Sequence, residues 1–115
     1  MENKLLAAAS YENQKFYIAP EFSSMPDQIK NEVKIICVLS AEKLLCDFLM
    51  EFTPAGDIVF KIIKPENSID FDDIGADLEI RRIQREKKEF LKSLKLWYLI
   101  YFTPEGEEIK DQMGF

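Results

Sequence analysis

The strongest constraint on the fold lies between residues 47 and 63, where two β-prone runs flank a turn sequence. The turn is Thr53-Pro54-Ala55-Gly56-Asp57. Proline presets the first φ angle of a turn, and glycine supplies the positive φ that a later turn position needs. The pattern predicts a β-hairpin and therefore an antiparallel sheet.

A second hairpin is predicted near the N-terminus, where Lys15-Phe16-Tyr17-Ile18 is short, aromatic and β-prone and ends before Pro20. Its partner would be the apolar run from Leu5 to Ala9. That run fits a helical turn as well as a strand, so the sequence leaves both readings open.

Between the hairpins, apolar residues recur at three- and four-residue steps, which is typical of one face of a helix. The helix is predicted to begin at Ser24-Met25-Pro26-Asp27, which fits a capping box with proline in the first turn, and to end near Leu45. The stripe consists of Ile29, Val33, Ile36, Cys37, Ser40 and Leu44.

A long final helix is predicted from Asp72 to about Phe102. Its apolar residues keep a helical period that only Lys87 interrupts. Its last part, residues 96–102, is apolar all round and would also suit a buried strand. The apolar stripe is Ile80, Ile83, Phe90, Leu91, Leu94, Trp97, Tyr98 and Tyr101.

The predicted order is therefore ββαββα. We expect an α+β fold in which two β-hairpins form an antiparallel sheet and two helices pack on one face. A chain of 115 residues allows one domain, so we expect residues 1–115 to form it, with a flexible tail at 107–115.

The composition limits the catalytic and metal-binding sites that this chain could form. The chain contains no histidine, which excludes Ser-His-Asp triads, Cys-His pairs and zinc sites that use histidine. No catalytic residue, metal ligand or cofactor motif is predicted, and we expect a protein that is not an enzyme. A carboxylate-based enzyme, for example one that uses an Asp/Glu pair within residues 66–79, is the alternative. The net charge of −6 argues against a nucleic-acid coat and against a membrane-surface binder.

The two cysteines, Cys37 and Cys46, lie in an apolar stretch and are expected to be buried hydrophobic residues rather than a disulfide framework. The apolar run after Lys4 is shorter than the core of a signal peptide, and no uncharged run is long enough to cross a bilayer. We therefore expect a cytoplasmic protein that keeps its first residues.

Residues 66–79 form an acidic cluster without a basic residue. Asp70, Asp72 and Gly75 match three positions of an EF-hand loop, but Arg81 falls where that loop requires a glutamate. A helix cap is the better interpretation, because acids in the first turn complement the positive end of the helix dipole. We expect Asp72 or Asp73 to cap the final helix. The acidic residues are Glu66, Asp70, Asp72, Asp73, Asp77 and Glu79.

Residues 80–95 reverse the charge, with seven basic against two acidic side chains. Five of them step by four, three, four and three residues and would form one line on a continuous helix, opposite its apolar stripe. The line is a candidate docking site for an acidic partner. A solvated helix face, aided by cations near the negative helix end, is the plainer alternative, and nucleic acid is an unlikely partner because no aromatic residue interleaves the line. The line consists of Arg81, Arg85, Lys88, Lys92 and Lys95.

Trp97, Tyr98 and Tyr101 are a candidate lining for a ligand pocket, although an aromatic stripe at helical spacing more often belongs to a core.

The element order and several short motifs resemble a family of short uncharacterised bacterial proteins. The resemblance implies a single-domain, cytoplasmic, bacterial protein and implies no activity. The motifs are Tyr17-Ile18-Ala19-Pro20-Glu21-Phe22-Ser23, Pro26-Asp27-Gln28-Ile29-Lys30, Cys37-Val38-Leu39, Asp72-Asp73-Ile74-Gly75 and Gln84-Arg85-Glu86-Lys87.

The leading functional hypothesis is a cytoplasmic, non-enzymatic protein-interaction module. It would either self-associate or dock an acidic partner through the basic line. A small-ligand sensor or carrier, with a cleft between sheet and helix lined by the three aromatic residues, is the alternative.

Overall fold

A computed structural model describes residues 2–65 and 71–103, and in these residues the chain forms four strands and three α-helices. Glu66, Asp70 and the predicted tail at 107–115 lie outside the described residues. The elements in order are β1 (Lys4–Ser10), β2 (Lys15–Ile18), a short 3-10 helix (Pro20–Phe22), α1 (Asp27–Leu44), β3 (Asp47–Phe52), β4 (Ile58–Ile63), α2 (Asp73–Glu86) and α3 (Lys88–Phe102).

The strands form one antiparallel sheet in the order β2-β1-β3-β4. The α+β class and both predicted hairpins are confirmed, and the first apolar run is a strand rather than a helical turn. Gly56 has φ of 88°, as the turn sequence predicts, and its N–H donates to the Thr53 carbonyl at 2.8 Å.

The helices cover one face of the sheet. Phe48, Met50 and Phe52 on β3 are fully buried beneath them. Alternate residues of β2 and β4 join the same core from the same face, because successive side chains of a strand point to opposite sides. The helices contribute Val33, Ile36 and Cys37 from α1, Ile83 from α2, and Leu94, Trp97 and Tyr98 from α3.

The prediction of one long final helix is wrong. Lys87 leaves the helical conformation with φ of −105° and ψ of 20°, and it separates α2 from α3. The order is therefore ββαββαα. Lys87 is the one position where the apolar stripe is interrupted, and its ammonium pairs with Glu32 on α1 at 2.8 Å. On a continuous helix the side chain at this position would point into the hydrophobic core, where an unpaired charge is costly. The break lets the Lys87 ammonium reach α1 instead. Residues 96–102 are helical.

The ends of the helices follow local chemistry. The Asp72 carboxylate accepts from the Gly75 N–H at 2.8 Å, so the predicted cap of α2 is confirmed. The predicted capping box of α1 is wrong, because Pro26 occupies the N-cap position and no side chain caps that end. Leu45 ends α1 in the left-handed conformation.

No helix in the described part of the chain has both the length and the apolar character needed to cross a membrane.

Candidate functional site

The helix break divides the predicted basic line. Arg81 and Arg85 belong to α2, whereas Lys88, Lys92 and Lys95 belong to α3. The line was predicted on one continuous helix, whereas in the structure its two parts lie on different helices.

The five cations differ in whether they are already neutralised. Arg81 pairs with Asp77 at 3.1 Å and Lys95 with Asp57 at 2.9 Å, while Lys92 lies 3.7 Å from Glu89.

Arg85 and Lys88 form no ion pair with any residue that the structure describes. The charge available to a partner is therefore concentrated on either side of Lys87.

The three lysines of α3 line a surface groove, which we call the lysine groove, with a volume of about 310 Å³. Its apolar part comes from Leu91 and Ile58, both of which also pack against the core. Its lining is Asp57, Ile58, Gln84, Lys88, Leu91, Lys92 and Lys95.

The turn between β3 and β4 sets one wall of the groove. A Cβ atom added to Gly56 would lie 3.2 Å from Cδ1 of Tyr98 and 3.4 Å from Cγ of Lys95, so the turn backbone rests directly on α3. This close approach brings Asp57 to Lys95 and holds Ile58 beside Leu91, both in the groove lining.

The break also changes the electrostatics of Lys88. On one long helix this lysine would lie past the middle, whereas it is now the first residue of α3, at the positive end of that helix. A cation at a helix N-terminus is unfavourable, and an anion there is favourable. Dipole stabilisation therefore accounts for Arg85 near the end of α2 but not for Lys88, which is suited to an incoming carboxylate.

Trp97 and Tyr98, two of the three predicted pocket residues, are buried in the core. The Tyr98 ring stacks on the Phe52 ring with centroids 4.6 Å apart, and the centroids of the Trp97 and Phe22 rings are 6.1 Å apart. Tyr101 is about half exposed, and its ring lies 5.2 Å from that of Trp97. The Trp97 and Tyr98 rings fill the space between the sheet and α3, whereas Tyr101 remains partly in solvent.

Comparison with known proteins identifies a family whose function is unknown. The model of DUF6145, a family of unknown function, matches residues 3–107. The chain belongs to this family. The predicted resemblance to a family of uncharacterised proteins is thereby confirmed. No curated protein and no solved structure matches the chain.

The remaining acids of the predicted cluster have structural partners. Asp72 caps α2, Asp73 pairs with Lys64 at 2.7 Å, and Asp77 pairs with Arg81. Within residues 2–65 and 71–103, no three Cys, Asp or Glu side chains are grouped so that they could hold a metal ion.

Glu79 is a residue whose environment the sequence did not reveal. Its side chain is 3% exposed, and it accepts from Lys43 of α1 at 2.6 Å and from Arg82, which also pairs with Glu86. Hydrogen bonds from Arg82, and secondarily from Lys43, lower the pKa of this carboxyl although burial acts in the opposite direction. A carboxylate held in its ionised form fixes α2 to α1 and is a poor proton donor. The available signal was its spacing from Ala76 and Ile83, three and four residues away on the buried side of α2.

The thiols are buried and free, as predicted. Burial raises the pKa of Cys37 to about 12, and burial together with the charge of Asp47 raises that of Cys46 to about 11. Neither thiol is suited to nucleophilic chemistry, because the thiolate is the reactive form.

Proposed function

We propose that this chain is a protein-interaction module that binds an acidic segment of a partner protein in the lysine groove. The observation that carries the proposal is the environment of the Lys88 side chain. It is exposed, begins a helix, lines the groove and lacks an ion-pair partner among the described residues.

The lining favours a segment that combines carboxylates with an apolar side chain. Lys88 and Lys92 are four residues apart on α3, so their side chains lie on one helix face and can pair with successive acids. Leu91 and Ile58 offer an apolar surface beside them. Exposed ion pairs contribute only about 0.2–1 kcal/mol each, so burial of an apolar side chain has to supply much of the affinity.

A protein is a better partner than a nucleic acid for this groove. Nucleic-acid grooves combine cations with aromatic side chains on which bases stack. None of the described residues that line the lysine groove is aromatic, and the chain as a whole carries −6. We place the module in the cytoplasm and assign it no catalysis, and its two free thiols fit a reducing compartment.

The test is fluorescence anisotropy with labelled peptides at low and high ionic strength. The main probe is a glutamate-rich peptide with one central leucine. An all-glutamate peptide and a lysine-rich peptide with the same leucine are the comparisons. We expect the leucine-containing acidic peptide to bind tightest, the all-glutamate peptide to bind more weakly, and added salt to weaken both.

Lys88→Glu should weaken binding of the main probe roughly fivefold, because attraction is replaced by repulsion at one exposed pair. Lys34→Glu is the matched control, since it makes the same charge change at an exposed lysine of α1 and should leave the affinity unchanged. Equal losses in both variants would contradict the proposal. Preferential binding of a single-stranded oligonucleotide would also contradict it.

A further inference from the structure

The face of the sheet opposite the helices, which we call the open face, has no described element packed on it. Tyr17 and Ile63 are 50% and 55% exposed there, and no residue of this face belongs to the hydrophobic core cluster. The register assigns the face its side chains, which are the apolar Leu5, Ala8, Tyr17, Leu49, Val59 and Ile63 and the polar Ser10, Lys15, Asp47, Glu51 and Lys61.

An antiparallel sheet with one solvated face normally alternates apolar residues inward with polar residues outward. Here the centre of the outward face is apolar. Ala8 on β1 lies between Tyr17 on β2 and Leu49 on β3, and these residues line a shallow depression of about 210 Å³. Such a surface is typical of an interaction site.

The charges of the open face balance. The open face carries two lysines, Lys15 and Lys61, and two acids, Asp47 and Glu51, and Lys61 pairs with Glu51 at 3.0 Å. The whole chain carries −6, so two copies repel one another over most of their surfaces. A second copy can approach the locally neutral open face without this electrostatic repulsion.

The two remaining charges specify how a second copy can dock. Lys15 and Asp47 lie on opposite sides of Ser10 in one row of the sheet, and neither has an ion-pair partner among the described residues. Neighbouring strands are about 4.8 Å apart, which puts these two residues about 10 Å apart.

We infer that the open face binds a second copy of this chain around a twofold axis that runs along β1. Rotation about that axis exchanges the β2 and β3 sides, so Lys15 of each copy lies over Asp47 of the other. The same rotation places Tyr17 of each copy over Leu49 of the other, on either side of Ala8. Both unpaired charges and the apolar centre are then matched, as an interface between identical surfaces requires. Antiparallel sheets stack in this way about 10 Å apart.

The dimer should be weak and reversible. The axis along β1 overlays three strands of each copy, β2, β1 and β3, because β4 has no strand opposite it. Three strands of about six residues give a flat footprint of roughly 300 Å² per copy, which is smaller than a standard specific interface. This inference concerns a different surface from the lysine groove, and either one can fail without the other.

Sedimentation velocity over a wide range of protein concentrations tests the inference. The wild-type chain should move from its monomer mass of 13.4 kDa toward twice that value as concentration rises. Lys15→Asp should remain monomeric over the same range, because acids then face acids. Asp47→Lys should also remain monomeric, because lysines then face lysines.

An equimolar mixture of the two variants should recover the dimer, because each altered charge meets its opposite in the partner. This recovery also shows that both variants are folded. Lys34→Asp, away from the open face, is the matched control and should dimerise like the wild type. A wild-type chain that is monomeric throughout, or a dimer insensitive to both changes, would overturn the inference. So would a mixture that stays monomeric.

Discussion

Among single residues, Glu79 shows most directly how charge holds this fold together. Its buried carboxylate joins α2 to Lys43 on α1, and Arg82 completes the pair on its own helix. The pKa of Glu79 in the folded chain lies below its ordinary value of 4.5, so the ionised form stabilises the fold. That contribution is complete above pH 4.5 and is lost as the pH falls through the lowered folded-state pKa.

Glu79→Gln should lower the free energy of unfolding by about 1–3 kcal/mol at neutral pH, the range for hydrogen bonds to charged groups. The difference from the wild type should shrink as the pH is lowered below 4.5, because the wild-type carboxyl is then protonated first in the unfolded chain and, below its lowered pKa, in the folded chain as well. Urea unfolding at several pH values measures this. Glu86→Gln is the control, because Glu86 is half exposed and also pairs with Arg82, and it should cost less than about 0.5 kcal/mol. A difference that does not change with pH would show that the charge of Glu79 is not responsible.

Gly56 is a second residue with a specific requirement. Its φ of 88° is strained for any other residue, and an added Cβ atom would lie 3.2 Å from the Tyr98 ring. Gly56→Ala should therefore destabilise the chain by about 1–2 kcal/mol. Because this turn forms a wall of the lysine groove, the variant should also weaken binding of the acidic peptide. Urea unfolding and the anisotropy titration measure the two effects, and an unchanged unfolding midpoint would contradict the first.

At the scale of elements, local chemistry made the hairpins and the cap of α2 predictable. The turn at 53–57 contains both residues that its geometry requires, and Asp72 precedes an apolar period. The break at Lys87 was not predictable in the same way, because no glycine or proline marks it. The side chain that stabilises the break, Glu32, lies more than fifty residues earlier and meets Lys87 only in the folded chain.

The cap of α2 gives a prediction at this scale. Asp72→Ala removes the acceptor for the Gly75 N–H and should cost about 1 kcal/mol of unfolding free energy. Asp72→Asn should retain most of the stability, because asparagine caps helices about as well as aspartate. Thermal or urea unfolding of the pair measures this. Equal losses in the two variants would assign the effect to the charge of Asp72 rather than to its hydrogen bond.

At the scale of the whole molecule, tertiary packing decides what is available for binding. The five basic residues were found from their spacing, but the sequence could not show that Arg81 and Lys95 are paired or that Ile58 would join the lysines in one groove. The open face was missed for a related reason. A strand such as Ile58–Ile63 carries apolar residues on both sides, and only the position of the helices determines which side remains uncovered.

The central claim is that an acidic segment binds in the lysine groove, and two-dimensional 15N NMR tests it most directly. The labelled chain is titrated with the glutamate-rich peptide that contains one leucine. We expect saturable shifts at the amides of Lys88, Leu91 and Lys92 on α3 and of Ile58 on β4, with the amides of α1 unaffected. Shifts confined to residues outside the groove, or no shifts at peptide excess, would contradict the account.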